Sequence, residues 1–516
     1  MSGFRREPPA WLGPVAEALA EALPRLHGVP ADGPQRQLII ALTEALGRGE
    51  LDLPLPDHHP GANGLLVGQR DGPLVLEHGR LQWRRWQQQR QRVLEALLLR
   101  ATACDPLTSA DSDQPGGLDP LQQRAVGAVL RHRLVLLEGG PGTGKTSTVA
   151  TMVAVLLRHQ PQARVQLAAP TGKAAARLRS ASGRQHACTT LHRLLESHGG
   201  GFGRHRLRPL ELDLLVVDEV SMVDLTLMEA VLEALPASCR LVLVGDPAQL
   251  PPVAPGALLD ALQTPAVRQA LGPARITLER TWRNDGAIAA VAAGLRRQIN
   301  QPSADLAGLL TDLPANANVQ WHTAPARRLP VTLLERLAEQ RRCLSQRATA
   351  AATGETDAVE ALLRQRDRLL VLTPVRGGPW GVEAIHRHQL GSALTAGAGA
   401  WPPGTPVLCV RNRPDLDLAN GDVGVVVERR GAESGRWLLF GDAEAGEPLW
   451  LHPAQLAGAV EPALALTVHK AQGSEAEAVV VLLDPERQPD PRLLYTALTR
   501  ARRQALLITP DGPTSP

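Results

Sequence analysis

Lysine is nearly absent from this chain: only Lys145, Lys173 and Lys470 occur, and every other strongly basic position is arginine. Where arginine otherwise stands in, a surviving lysine marks a place where a compact ammonium does what a planar guanidinium cannot, and all three fall inside motifs. Aromatic residues make up only 3% of the chain, with a single tyrosine, Tyr495. Base stacking therefore has few candidates, and any grip on nucleic acid has to come mainly from backbone contacts. The cysteines Cys104, Cys188, Cys239, Cys343 and Cys409 are scattered with no CxxC spacing, which argues against a zinc knuckle or a disulfide framework. No stretch of about 18 uninterrupted apolar residues suggests a membrane span. The N-terminus lacks the apolar core of a secretory signal, so a cytoplasmic protein is expected. A net charge of +3 is compatible with nucleic acid without arguing for it. With 44% hydrophobic and 21% charged residues, the chain reads as globular and has length for about three or four domains.

The chain is organised around residues 134–148, LVLLEGGPGTGKTST. An apolar run feeds a glycine-rich turn and then helix-forming sequence, the context in which GxxxxGK(S/T) is a phosphate cradle. Gly139, Gly140, Pro141, Gly142, Thr143, Gly144, Lys145, Thr146 and Ser147 form the turn and the helix start. Their backbone N–H groups wrap phosphates, Lys145 reaches the terminal phosphates, and the Thr146 hydroxyl binds Mg²⁺. The glycines let backbone approach phosphate where a Cβ would obstruct it, and the helix N-terminus adds its positive dipole end. ATP and Mg²⁺ are the expected ligands.

Farther along, the apolar run Leu214 to Val217 ends in Asp218 and Glu219. A carboxylate at a strand's end can hold Mg²⁺, and its neighbour can act as general base on the attacking water. A third run, LVLVGDP, is followed by Gln249, placed to sense the γ-phosphate. Upstream of the cradle, the Gln122 amide offers a donor and an acceptor to an adenine edge. Strand, cradle, strand, acid pair, strand and Gln describe an α/β nucleotide-binding domain with a parallel sheet. A second block repeats the style without a second cradle, and offers instead Arg283 and Arg500 as candidate arginine fingers across a cleft.

The boundaries expected from composition are an N-terminal module over 1–104 and a Pro-, Gly-, Ser- and Asp-rich linker over 105–117. The first motor domain follows over 118–272, with a short insert near 197–211, and the second over 273–394 and 459–516. It is interrupted by a Gly- and Pro-rich stretch of short β-runs over 395–458 that reads as an inserted β-barrel. In the N-terminal module, Trp83, Trp86, Arg90, Val93, Leu94 and Leu97 recur at helical spacing, a packing or partner-docking face.

Taken in order, GGPGTGKT, APTGKAA, TTLHRLL, VVDEVSMVD, VGDPAQLPPV, LERTWRN, LTVHKAQGSE and YTALTRAR resemble motifs I to VI of a superfamily 1 DNA helicase. They are most similar to the RecD family, the alpha subunit of exodeoxyribonuclease V, and the resemblance runs from about Leu118 to Arg502. The Ib and V segments resemble those of the 5′→3′ branch, superfamily 1B. The resemblance implies two RecA-like P-loop domains with an inserted SH3-like β-barrel and a mainly helical N-terminal domain. It implies ATP-driven movement along single-stranded DNA with unwinding of duplex, and assembly with RecB-like and RecC-like subunits in a heterotrimer. Lys145, Asp218, Glu219, Gln249, Arg283 and Arg500 would be catalytic, and Glu475 would lie near the ribose. Pro170, Thr171, Thr190, His192, Thr467 and His469 would line the single-strand path. The N-terminal module would dock onto the complex. No acidic cluster of nuclease type is present beyond the Mg²⁺ pair, so degradation would belong to another subunit. The competing readings are a standalone helicase of the same branch, the motor half of a relaxase, whose tyrosine nucleophile has no free candidate here, and a scaffold that binds nucleotide without turning it over.

Overall fold

The structure is a computed structural model, and it describes residues 12–28, 33–55, 72–103, 117–182, 186–281, 286–300, 308, 318–431, 434–442, 445–483 and 490–511. The expected linker lies almost wholly outside the described residues.

The core of the first motor domain is a six-stranded parallel sheet in the order Arg275–Leu278, Leu134–Gly139, Arg240–Gly245, Leu214–Val217, Val165–Ala169, Ala187–Thr190. The three central strands are buried along their whole length. That is why they read as unbroken apolar runs: helices cover both faces of a parallel sheet, so neither face has to be polar. The two faces carry separate apolar clusters, one including Leu136, Val217 and Leu243 and the other Leu137, Val216 and Val244.

A second parallel sheet runs Val319–Pro325, Ala501–Asp511, Ala476–Leu482, Leu369–Thr373, Leu466–Thr467. Two helices, Val331–Ala350 and Thr356–Arg366, precede its strand Leu369–Thr373. Gly354, at φ 80°, makes the left-handed turn between them that a side chain would strain. Between strands Leu369–Thr373 and Leu466–Thr467 lies a five-stranded antiparallel sheet in the order Ala445–Leu451, Gly435–Asp442, Val423–Arg429, Pro406–Cys409, Val460–Pro462. The inserted sheet therefore reaches beyond residue 458, because Val460–Pro462 pairs with Pro406–Cys409. A two-stranded hairpin, Ser197–His198 with Gly201–Phe202, occupies the short insert of the first domain.

The N-terminal region departs from a separate module over 1–104. Helices Leu12–Leu26 and Gly33–Gly47 pack with a small antiparallel sheet, Asp52–Pro54, Arg80–Trp83 and Leu74–Glu77, around their own core of Ile39, Leu42, Leu74 and Leu81. The helix Arg84–Thr102 belongs to the motor. Its Val93, Leu97 and Ala101 are buried in the same cluster as Leu134, Val231 and Leu271, and Arg100 donates to the carbonyls of Cys239, Pro236 and Leu235. Gln89 and Arg92 both reach Glu229. The apolar face of this helix is thus spent inside the chain, and on that helix the partner-docking reading is corrected to packing.

Candidate functional site

In a parallel sheet all strands end on one edge, and ligands bind beyond the carboxyl ends. Here that edge carries, in spatial order, the phosphate loop after Gly139, then Asp246 to Gln249, then Asp218 and Glu219, then Pro170 and Thr171, then His192 after the end of strand Ala187–Thr190. Residues more than a hundred apart in sequence become neighbours.

The loop is shaped for phosphate. A Cβ on Gly139 would meet Thr143 Oγ1 at 2.6 Å and the Leu278 carbonyl at 3.1 Å. Gly142 and Gly144 stand at φ 73° and 83°, where only glycine is unstrained. Helix Lys145–His159 begins at Gly144 with no side-chain cap, so its first N–H groups remain available to an anion. Thr143 Oγ1 donates to the Gly140 carbonyl at 2.8 Å and braces the turn. Lys145 Nζ donates to the carbonyls of Gly139 and Gly140 at 2.8 and 2.9 Å. Burial lowers its pKa while Asp246, Glu219 and Asp218 pull it back up.

Beside the loop, burial and the adjoining Glu219 carboxylate raise the Asp218 carboxyl. Its Oδ1 accepts from the Glu219 N–H at 2.8 Å. Glu219 itself sits at φ 52°, a left-handed conformation rare for a residue with a side chain. Backbone strain of this kind is retained where a side chain must be aimed. The Thr146 hydroxyl, in the first turn of the helix after the loop, and the Asp218 carboxylate, just past the end of strand Leu214–Val217, are oxygen donors of the kind Mg²⁺ takes. Among the described residues no group of three or more His, Cys, Asp or Glu side chains is clustered for a metal, and such a site needs none.

The second domain meets this edge through helix Pro491–Leu498. Arg500 is buried and donates from Nε to the Thr496 carbonyl at 3.1 Å. Gln249 is buried, and its Oε1, sealed from solvent, has no hydrogen-bond partner among the described residues. Residues 282–285, and with them Arg283, lie outside the described residues. Gln122 is already occupied in part: buried, its Oε1 accepts from the Asp119 N–H at 3.1 Å in a capping box for helix Pro120–Arg131. Glu475 is clamped between Arg177, at 2.9 Å, and Arg502, at 3.1 Å, and this pairing ties the second domain to helix Gly172–Ala181 of the first.

Of the remaining path residues, Thr171 and Thr190 cap helices, accepting from Ala174 and Arg193 N–H groups. Thr467 ends a strand of the second sheet, with His469 two residues on. His192 sits with its ring centroid 6.4 Å from that of Phe202 in the hairpin. Pro170, Thr171 and Thr190 belong to the first domain's edge and Thr467 to the second's.

The seam between the domains contains residues to which the motifs assigned no role. Tyr495 donates to Asp246 Oδ2 at 2.7 Å, and Arg296 donates to Asp246 Oδ1 and to the Tyr495 oxygen at 2.9 Å each. Burial and the Asp246 carboxylate hold the Tyr495 phenol well above its ordinary pKa, so it stays a donor. Leu250 donates to Thr496 Oγ1 at 2.8 Å and accepts from Gln472 at 3.0 Å. Arg177 lies among Glu475, Glu219 and Asp218, whose carboxylates outweigh its burial and raise its pKa.

The profile described as an AAA domain matches residues 122–255, and that of the UvrD-like helicase C-terminal domain matches residues 462–508. The chain is 34% identical to the RecBCD enzyme subunit RecD of Mycolicibacterium smegmatis, across 91% of this chain and 86% of that protein. It is 35% identical to RecD of Mycobacterium tuberculosis, across 89% and 82%. The ATP-dependent RecD2 DNA helicase of Deinococcus radiodurans is 34% identical across 75% of this chain and 48% of its own length.

Proposed function

We propose a working cycle for this chain, which belongs to the RecD family of RecBCD enzyme subunits: it is an ATP-dependent DNA helicase that moves 5′→3′ along one strand as the motor subunit of such a complex, in repair and recombination of broken DNA. The observation that carries the reading is the meeting, at one sheet edge, of the Lys145 cradle with Asp218 and Glu219, joined through Tyr495 and Thr496 to the second-domain helix that leads to Arg500. A nucleotide-binding scaffold has no use for the second half of that arrangement. The subunit reading is favoured over a standalone helicase because the match to the RecD subunit takes in 91% of this chain and the match to RecD2 75%.

On ATP binding, Lys145 exchanges the Gly139 and Gly140 carbonyls for β- and γ-phosphate oxygens. Thr146 and Asp218 would hold Mg²⁺, which would supply charge neutralisation for phosphoryl transfer. Glu219 takes a proton from the water that attacks the γ-phosphorus, and the bond to the ADP oxygen breaks. Gln249, Arg283 and Arg500 grip the γ-phosphate, so its loss loosens the seam. Pro170, Thr171, Thr190 and His192 on one domain, with Thr467 and His469 on the other, hold the strand alternately as the cleft opens and closes. The inserted sheet is an SH3-like domain beside this path, the region before Arg84 docks onto RecB-like and RecC-like partners, and the protein works in the cytoplasm. Among the described residues no helix is long and apolar enough to cross a membrane.

The test is ATP hydrolysis with and without single-stranded DNA, then strand displacement on duplexes with a 5′ or a 3′ overhang. Stimulated hydrolysis with unwinding from the 5′ overhang is expected. Absence of stimulation would return the chain to the scaffold reading.

A further inference from the structure

Arg296 lies outside every motif, on helix Ala287–Asn300, whose Ile288, Val291, Ala292 and Leu295 are buried against the second sheet. The helix thereby fixes the base of the Arg296 side chain to the second domain, while its head reaches the first. The guanidinium NH2 lies 3.1 Å from where a Cβ on Gly140 would stand, and the Tyr495 oxygen lies 3.2 Å from the same point. Gly140 belongs to the phosphate loop. Arg296 carries five N–H donors. Its NH2 serves Asp246 and Tyr495, and its Nε and NH1 groups form no hydrogen bond among the described residues. The side chain is 35% exposed where Asp246 is 1% exposed, so a charged fork faces the cradle while its anchor is sealed.

From this geometry we infer that Arg296 is a further phosphate-binding arginine of the ATP site, contacting the terminal phosphate, with Asp246 and Tyr495 as positioning residues that hold it at the loop. The inference rests on the ATP reading of the cradle. NH1 alone carries two N–H donors, so the guanidinium can engage a phosphate through NH1 while NH2 stays on its carboxylate. Asp246 closes the strand next to the cradle strand, so it fixes the head of Arg296 beside the loop while the helix fixes the base. An arginine held at both ends is preorganised, and it loses little freedom when the nucleotide arrives. Tyr495, packed with the Arg296 guanidinium 5.5 Å above its ring, keeps the fork from rotating back into the second domain.

The test is equilibrium binding of mant-ATPγS and mant-ADP, each with Mg²⁺, to the intact chain, alongside thermal unfolding without nucleotide. Arg296→Ala should weaken mant-ATPγS about tenfold or more, the scale of a charge-assisted hydrogen bond, and leave mant-ADP within about twofold. Arg296→Lys should fall between, since it keeps charge and loses the fork. Tyr495→Phe should weaken mant-ATPγS less than Arg296→Ala does. Equal losses for both nucleotides, or a lowered melting temperature with no discrimination between them, would make Arg296 a seam contact only and overturn the inference, as would unchanged binding of both. If the unsubstituted chain binds neither nucleotide, the ATP reading fails first, and that result is separable because it precedes any substitution.

Discussion

Thr496→Val tests whether the seam between the two sheets controls catalysis. The Thr496 hydroxyl accepts the Leu250 N–H at 2.8 Å, with Thr496 0% and Leu250 4% exposed. The donor belongs to the loop after Gln249 and the acceptor to the helix that leads to Arg500. Valine keeps the shape and removes the acceptor, so a buried N–H is stranded whenever the two elements meet. Such a group costs about 1–3 kcal/mol, which lowers the closed-to-open ratio about 5- to 150-fold. In the proposed cycle hydrolysis needs Glu219 from one domain and Arg500 from the other together, so kcat/KM for ATP in the presence of single-stranded DNA should fall at least about fivefold. Thr499→Val is the control. Among the described residues its hydroxyl donates only along its own helix, to the Thr496 carbonyl at 3.1 Å, and its kcat/KM should stay within about twofold. If Thr496→Val matches Thr499→Val or the unsubstituted chain, closure at this seam does not gate hydrolysis and the reasoning is wrong.

Glu219→Gln should bind ATP normally yet hydrolyse it about 10²- to 10⁴-fold more slowly, the usual contribution of a general base; normal turnover would remove Glu219 from that role. Leu97→Ala, at a position 0% exposed in the motor's core, should cost about 2–5 kcal/mol in chemical denaturation, whereas a docking helix would lose partner affinity and keep its stability. Removing residues 1–83 should abolish assembly with RecB-like and RecC-like subunits while leaving DNA-stimulated hydrolysis, and removing 1–104 should also unfold the motor; co-purification and melting curves separate the two. Burial pushes the His386 imidazole down to about 4, against the pull of Glu461 and its hydrogen bond to Ala465. The folded state therefore binds fewer protons than the unfolded state between about pH 6.5 and 4, and stability falls as pH drops through that window. His386→Gln should flatten the slope, sparing about 2 kcal/mol of the loss at pH 5, and an unchanged slope in urea titrations would disprove it.

The motor sheets were legible because their strands are short apolar runs that stop at chemically marked residues. A buried parallel strand needs no polar face, and the residue after it lands on the binding edge, so Gly139, Asp218 and Pro170 announce their own placement. Helix Arg84–Thr102 was not legible in the same way, since Val93, Leu97 and Ala101 form a stripe that looks identical whether it covers the chain's own core or a partner's. What separates the two is the Arg100 guanidinium, which has to bury its charge against three carbonyls 135 to 139 residues away. The capping role of Gln122 did have a local signal: Asp119 stands three residues before it, the spacing of a capping box. Arg296 had none. It follows a run of alanines in one of the many arginine-bearing helices, and its meaning depends on Asp246 and Tyr495, 50 and 199 residues distant. Motif spacing reports groups that share a turn or a strand end. A group fixed by one domain and aimed at another becomes visible only when the two sheets are brought edge to edge, and for a motor whose work is opening and closing that cleft, the seam is where such groups belong.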